Sequence, residues 1–253
     1  MSSEHMHQLS LDRSRPGIWT ITLHNPPINL LGQEMIDELQ ILVAQLETDQ
    51  SVKVALFESA DPDFFISHYD TRSAGKYSNK PGPTGYSSWL DFVLRLSNAP
   101  VVSIAKIRGR TRGVGNEFIL ACDLRFASKK RAIFGQPEVG VGVVPGGGAL
   151  EWLPRLVGRS RALEIVLSAN DFDADTAERY GMVNRAIADA DLDQFVEAFA
   201  SRIASFDKRA LGAAKKLIGR IGIPDGRDME ASNRVFFEAL AWPRRTDTAQ
   251  QDE

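Results

Sequence analysis

Glu117 and Glu138 are the residues whose types and settings could do chemistry together. Each stands beside glycines and is followed by apolar residues: Phe118, Ile119 and Leu120 after the first, Val139, Val141 and Val143 after the second. A carboxylate in such a setting is half-buried, and two of them near an oxyanion site are suited to moving a proton and activating a water. Ahead of Glu117, residues 109–118 (GRTRGVGNEF) read as a glycine-rich loop running into a helix. The N–H groups at a helix start, here around Gly113 to Gly115, have no helical acceptor and suit an anion or a developing oxyanion. An acid in a first turn is also an ordinary helix-start residue, favoured by the helix dipole. It is the pairing with Glu138, set directly after Pro137 in residues 134–148 (FGQPEVGVGVVPGGG), that points to acid–base work.

Other constellations fail on geometry or spacing. Residues 61–70 (DPDFFISHYD) contain Ser67, His68 and Asp70, the residue types of a hydrolase triad. On an extended chain Ser67 points away from His68, so the three cannot line up as nucleophile, base and orienter. Neither glycine run supplies a GxGxxG or GxxxxGK[ST] phosphate loop. His5, His7, His24 and His68 lack metal-ligand spacing beyond the pair near the N-terminus, and no metal is expected. Cys122, between Ala121 and Asp123 and behind Leu120, reads as a buried core thiol.

The elements that must position these groups follow from periodicity. Residues 17–24 (GIWTITLH) alternate as a strand and open the fold; His24-Asn25-Pro26-Pro27-Ile28-Asn29 makes a turn, since proline removes ladder donors. Met35, Ile36, Leu39, Leu42, Val43 and Leu46 recur at helical spacing, and residues 53–57 form a second strand. Helix 87–96, strand 101–107, helix 114–122 and strand 124–127 continue the alternation, which predicts an α/β domain. Its ligand belongs in the loops after strands. The Gly-, Pro- and Lys-rich residues 72–86 read as a loop at the ligand entrance or as a surface insertion. From residue 146 onward strands vanish and helices follow at 149–156, 161–168, 173–180 (Asp173 as N-cap, Gly181 as stop), 192–206, 208–220 and 229–242. Apolar positions on the last of these, Phe195, Val196, Phe199, Phe236, Phe237 and Leu240, exceed what a short helical tail can bury on itself, which predicts subunit contact.

Composition bounds the partners. The 253 residues carry 30 basic and 33 acidic side chains, net −3, mixed along the chain, so no basic face argues for nucleic acid. A small carbonyl compound is the expected partner. A single cysteine fits a reducing compartment, and neither an apolar leader nor a stretch of about 18 apolar residues occurs. A cytoplasmic protein without membrane contact is expected.

Six segments carry a resemblance. Ala99-Pro100-Val101-Val102-Ser103-Ile104-Ala105, Gly113-Val114-Gly115-Asn116-Glu117-Phe118 and Ala121-Cys122-Asp123-Leu124-Arg125-Phe126-Ala127 resemble the central signature of the crotonase (enoyl-CoA hydratase/isomerase) family. Phe134-Gly135-Gln136-Pro137-Glu138, Pro145-Gly146-Gly147-Gly148 and Leu153-Pro154-Arg155-Leu156-Val157-Gly158 resemble the segment after it, and the similarity runs in order from about Trp19 to Ile187. The resemblance implies an α/β spiral of β-β-α turns over residues 1–190 and a helical C-terminal region, 191–253, that builds trimers or hexamers. It also implies a CoA thioester as substrate, with no further cofactor. The oxyanion-hole donors would be the backbone N–H groups of Tyr69 and Val114, and Glu117 and Glu138 the water-activating base and the proton donor. Ile28, Ser67, His68, Asp70, Gly113, Pro137 and Gly142 would line the substrate.

Ser67-His68-Tyr69 departs from the small Ala-Gly-Ala that the family usually places before its Asp, and the eleven residues after Trp242 lack the family's longer Phe and Lys-Arg-x-Pro ending. Backbone donors survive any non-proline substitution, so the first change reshapes the pocket and leaves the donors in place. Three functions are compatible with this sequence: addition of water to, or a double-bond shift in, an acyl-CoA; CoA-independent cleavage of a carbon–carbon bond in a β-diketone; and acyl-CoA binding without turnover.

Overall fold

Alternation of Trp19, Ile21 and Leu23 with Ile18, Thr20 and Thr22 sets a β-branched and aromatic strand between two layers, and these residues form β2 (Ile18–Leu23). In this computed structural model, which describes residues 6–72 and 80–243, β2 is not the first strand. It pairs antiparallel with β1 (Leu9–Arg15) and parallel with β3 (Val54–Ser59). The polar look of residues 1–16 hid β1 because an edge strand with one buried residue, Leu9, shows no apolar alternation. His5, residues 73–79 of the 72–86 loop and the tail beyond Pro243 lie outside the described residues.

After α1 (Gln33–Thr48) come three turns of one pattern. Each contributes a long strand to a six-stranded sheet, a three-residue strand to a four-stranded sheet, and then a helix. The turns are β3, β4 (Phe64–Ile66) and α2 (Ser88–Asn98); β5 (Val102–Ile107), β6 (Arg110–Arg112) and α3 (Val114–Ala121); and β7 (Leu124–Ser128), β8 (Ile133–Gly135) and α4 (Ala149–Val157). With β9 (Asp171–Asp173) and β10 (Arg185–Ile187) added, the larger sheet runs β1-β2-β3-β5-β7-β10, parallel apart from β1. The smaller runs β4-β6-β8-β9, with β4, β6 and β8 parallel. This is the expected spiral of β-β-α turns.

Beyond residue 146 the expectation of helices alone is corrected. β9 (Asp171–Asp173) adds antiparallel to β8, and β10 (Arg185–Ile187) closes the larger sheet beside β7. Three residues are too few to show a period, so neither strand is visible in the sequence. After α5 (Arg159–Ser168), α6 (Ala174–Tyr180) lies between the two strands, where the Asp173 carboxylate accepts from Thr176 N–H at 2.8 Å and Gly181, at φ 83°, closes the helix.

One core lies between α1, α2, α3 and the sheets, centred on Phe57, Phe65, Phe92 and Phe118. A second lies where α7 (Leu192–Ala204) seats Leu192, Val196 and Ala200 on Ile18, Val54, Leu56, Ile104 and Phe126. Phe195 and Phe199 meet the Phe126 ring at 5.2 and 5.1 Å between centroids. α8 (Lys208–Gly222) buries no residue, and α9 (Gly226–Ala239) packs Phe236 and Ala239 against Val143.

Candidate active site

The small sheet assembles the site. Its parallel strands β4, β6 and β8 end side by side, and each runs directly into one of the singled-out segments: Ser67 to Asp70 after β4, Gly113 to Glu117 after β6, Gln136 to Glu138 after β8. Neighbouring strands stand about 5 Å apart, so three segments far apart in sequence are brought within a side chain's reach of one another. All three strands were hidden inside what reads as loop.

Glycines permit the closest approach. A Cβ on Gly115 would overlap the Ile66 carbonyl and stand 2.8 Å from the Ile66 Cβ, so only a bare backbone lets the start of α3 press on the end of β4. Gly113, at φ 52°, donates its N–H to the Gly135 carbonyl at 3.0 Å and turns the chain out of β6. Val114 then opens α3, where its N–H has no acceptor within the helix. On the neighbouring segment, Leu31 N–H donates to the His68 carbonyl and Asp70 N–H to the Leu31 carbonyl, both at 3.0 Å. This one-residue parallel bridge turns the N–H of Tyr69 to the side away from Leu31. Asn29, absent from the sequence-derived set, holds that turn: its Nδ2 donates to Ser59 Oγ at 2.7 Å and its Oδ1 accepts from Asn25 N–H at 2.6 Å.

Glu117 is 3% exposed. Its Oε1 accepts from Gly147 N–H at 2.7 Å and Ala149 N–H at 3.2 Å, which places the carboxyl at the N-terminus of α4. The Gly147 carbonyl accepts from the Trp89 indole at 3.1 Å, so Gly147 is held from both sides. Burial pushes the Glu117 carboxyl up to about 8; the charge of Glu138 adds to the rise, and the two N–H donors oppose it. Glu138 opens a 3-10 turn (Glu138–Val141), its Oε1 accepting from Gln136 Nε2 at 3.0 Å and its Oε2 buried without a hydrogen-bond partner. Burial pushes this carboxyl up to about 7. Two acids that ionise around neutrality and sense each other's charge can trade a proton with a bound molecule near physiological pH.

The remaining sequence-derived residues divide. Gly113 is buried beside Glu138, where an added Cβ would stand 2.9 Å from Oε1, and Pro137 is the residue on which the 3-10 turn starts. Ser67 is buried with its Oγ unpartnered, whereas His68 is exposed and turns Nδ1 toward the Tyr69 carbonyl at 2.9 Å. Asp70 and Ile28 are half-buried on the segments that flank the bridge, and Gly142, at φ 80°, ends the 3-10 turn at the surface. The Tyr69 ring packs edge-on to Phe236 of α9, 6.1 Å between centroids. Sequence reasoning passed over Trp89, Asn116, Gln136 and Phe236; of these only Gln136 had a local signal, as the neighbour of Pro137-Glu138. A basic cavity of about 470 Å³ at Arg13, Arg15, Trp19 and Lys53 lies at the opposite strand ends and holds none of these groups.

The chain is similar to a family of known proteins. The model of the family described as enoyl-CoA hydratase/isomerase matches residues 13–225. The short-chain-enoyl-CoA hydratase of Clostridium acetobutylicum is 29% identical over 238 residues, covering 92% of this chain and 87% of that protein. Among solved structures, one from Streptomyces avermitilis, provisionally named an enoyl-CoA hydratase, is 43% identical with a TM-score of 0.90, over 96% of this chain and 88% of that one. An enoyl-CoA hydratase from Bacillus anthracis is 25% identical with a TM-score of 0.78, over 92% and 90%.

Proposed function

From a chain that belongs to the enoyl-CoA hydratase/isomerase family, we infer an enzyme that adds water to, or shifts the double bond of, an acyl-CoA thioester. The observation that carries this reading is the pair Glu117 and Glu138, both with carboxyls raised toward neutrality, flanking the start of α3. In hydration the thioester carbonyl sits between the N–H groups of Tyr69 and Val114. One glutamate takes a proton from water, whose oxygen bonds to the β-carbon as the C=C electrons move to an enolate oxygen held by those donors. The other glutamate returns a proton to the α-carbon, restoring the carbonyl. A double-bond shift needs only removal and return of a proton, which one of the two can perform. No added cofactor enters either route.

Assembly as a trimer or hexamer through the C-terminal region is part of this reading, with Phe237 alone retained from the residues the sequence suggests. Phe195, Phe199, Phe236 and Leu240 are packed within the chain. The apolar surface left over lies on α8, with Leu217, Ile218 and Ile221 at 56%, 74% and 89% exposed, and on Phe237 and Trp242. No helix among the described residues is long and apolar enough to cross a membrane; a cytoplasmic location is the matching proposal.

The test is a panel of 2-enoyl- and 3-enoyl-CoA thioesters of graded length together with free cyclic β-diketones, followed by mass spectrometry. Gain of one water on a thioester, or a shifted double bond at unchanged mass, is the expected result. Conversion of diketones alone, without thermal stabilisation by CoA, would replace it with carbon–carbon bond cleavage.

A further inference from the structure

Behind Glu138 stands a chain of two buried amides. Asn116 and Gln136 are both fully buried, and Asn116 Nδ2 donates to Gln136 Oε1 at 2.8 Å. Gln136 Nε2 in turn donates to Glu138 Oε1 at 3.0 Å. Asn116 Oδ1 is buried without a hydrogen-bond partner. An apolar residue of similar size would trade that orphaned oxygen for another, the Gln136 Oε1 that Asn116 now satisfies, so burial alone does not favour the amide. What the side chain does supply is one donor, aimed at Gln136.

That donor has a chemical consequence. A glutamine amide can present either its oxygen or its NH2 to a neighbour, and the two orientations are nearly equal in shape. With the Asn116 donor at one end and a carboxyl at the other, both ends demand the same orientation: oxygen toward Asn116, NH2 toward Glu138. Glu138 Oε1 is then a hydrogen-bond acceptor in either protonation state, so when the carboxyl is protonated its proton resides on Oε2, the oxygen with no partner among the described residues. A reversed amide would hold the proton on Oε1 against the Gln136 carbonyl. We propose that Asn116 is a positioning residue that acts through Gln136 to make Oε2 of Glu138 the oxygen that exchanges a proton with substrate. The assignment rests on Glu138 being one of the two acid–base groups of the proposed reaction. In the hydration direction the enolate's C=C electrons form the new C–H bond at the α-carbon. The O–H electrons stay on Oε2, leaving Glu138 as a carboxylate whose charge the Gln136 NH2 partly meets.

Asn116→Asp keeps the shape and removes the donor, turning the Gln136 NH2 toward residue 116; Asn116→Leu removes all polarity and leaves Gln136 to Glu138 alone. The expected result is a fall in kcat of about 10- to 100-fold for Asn116→Asp, the scale of a misplaced catalytic group, with KM within about twofold of the parent. Asn116→Leu should lose less. A merely structural role predicts the reverse order, with Asn116→Leu worse and losses that follow the thermal midpoint; that order would overturn the proposal. The second measurement needs no substrate and no turnover. The Gln136 side-chain NH2 resonances, assigned by their loss in Gln136→Met, are followed by NMR across pH in the ligand-free protein. They should move with the titration of Glu138, identified by its loss in Glu138→Gln, and should stop doing so in Asn116→Asp. Glu117 is the carboxyl coupled to Glu138, and the charge of Glu151 acts in turn on Glu117; Glu117→Gln separates the titration of Glu117 from that of Glu138. If the resonances ignore Glu138 in the unsubstituted protein, the relay is wrong whether or not any variant folds. If no thioester is turned over but the resonances behave as expected, the functional reading fails and the relay stands.

Discussion

Replacing Glu117 by glutamine should stabilise the protein at neutral and alkaline pH while disabling it. Burial, helped by the charge of Glu138, raises the Glu117 carboxyl from its ordinary 4.5 to about 8. A carboxyl whose pKa is higher in the folded state takes up a proton on folding. Its contribution to stability is therefore full below pH 4.5 and is lost as pH climbs through the window from 4.5 to 8. The rise is about 3.5 in pKa, and at about 1.4 kcal/mol per pKa unit the parent loses about 5 kcal/mol across that window, of which about 3 kcal/mol is gone by pH 7. The glutamine side chain of the variant cannot ionise, yet its carbonyl can still accept from Gly147 and Ala149. The new NH2 adds an offset that does not vary with pH, so the pH dependence of the difference between the two proteins follows the Glu117 charge together with its coupling to Glu138. Urea denaturation of parent and variant at pH 4.5, 6, 7 and 9, at one fixed protein concentration because assembly adds to apparent stability, measures that difference. It should be flat at the acid end, grow in favour of the variant through the window, and level off above pH 8. Parallel curves across the whole range would refute the argument, because they would mean that Glu117 is solvated or paired in the folded protein.

Catalysis should respond in the opposite sense: Glu117→Gln and Glu138→Gln are each expected to lower kcat on the best thioester by about 100-fold or more, with affinity for a non-reacting thioester nearly unchanged by calorimetry. Near-parental rates in both would end the acid–base assignment. Tyr69→Ala removes the ring that packs on Phe236 and His68→Gly clears the adjacent position; both should widen acceptance toward bulkier acyl groups and strengthen CoA binding, since the backbone N–H stays. Loss of all activity in folded variants would make those side chains participants in the chemistry. Gly115→Ala forces a methyl into the Ile66 carbonyl and should lower stability by about 1–3 kcal/mol, read from the urea midpoint; an unchanged midpoint would show that α3 and β4 can separate at no cost. Light scattering at micromolar concentration should report a trimer or hexamer, and Ile218→Glu with Ile221→Glu on α8 should dissociate it; a parent that is already monomeric removes the assembly proposal.

Much of this protein is determined by its sequence alone. Helices of two turns or more declare themselves, because an apolar stripe such as Met35, Leu39, Leu42 and Leu46 repeats often enough to be seen, and Asp173 and Gly181 bracket α6 by local hydrogen bonding and local φ. The buried strands β2, β3, β5 and β7 are read from short runs of apolar residues between turn and helix signals, and Glu117 and Glu138 from their settings among glycines and apolar residues. Tertiary structure decided what has no local signal. Strands β4, β6 and β8 are three residues each, shorter than two periods of any pattern, and exist because longer strands and helices hold them side by side; yet they are what brings Tyr69, Val114 and Glu138 into one place. It also decided which apolar faces are satisfied, since Phe195 and Phe199 find Phe126, far off in sequence, while Ile218 and Ile221 find nothing in the described chain. The raised acidities of Glu117 and Glu138 are likewise tertiary: a pKa is set by the water removed and the charges brought near, and neither quantity exists until Gly147, Ala149 and Gln136 have closed around those carboxyls.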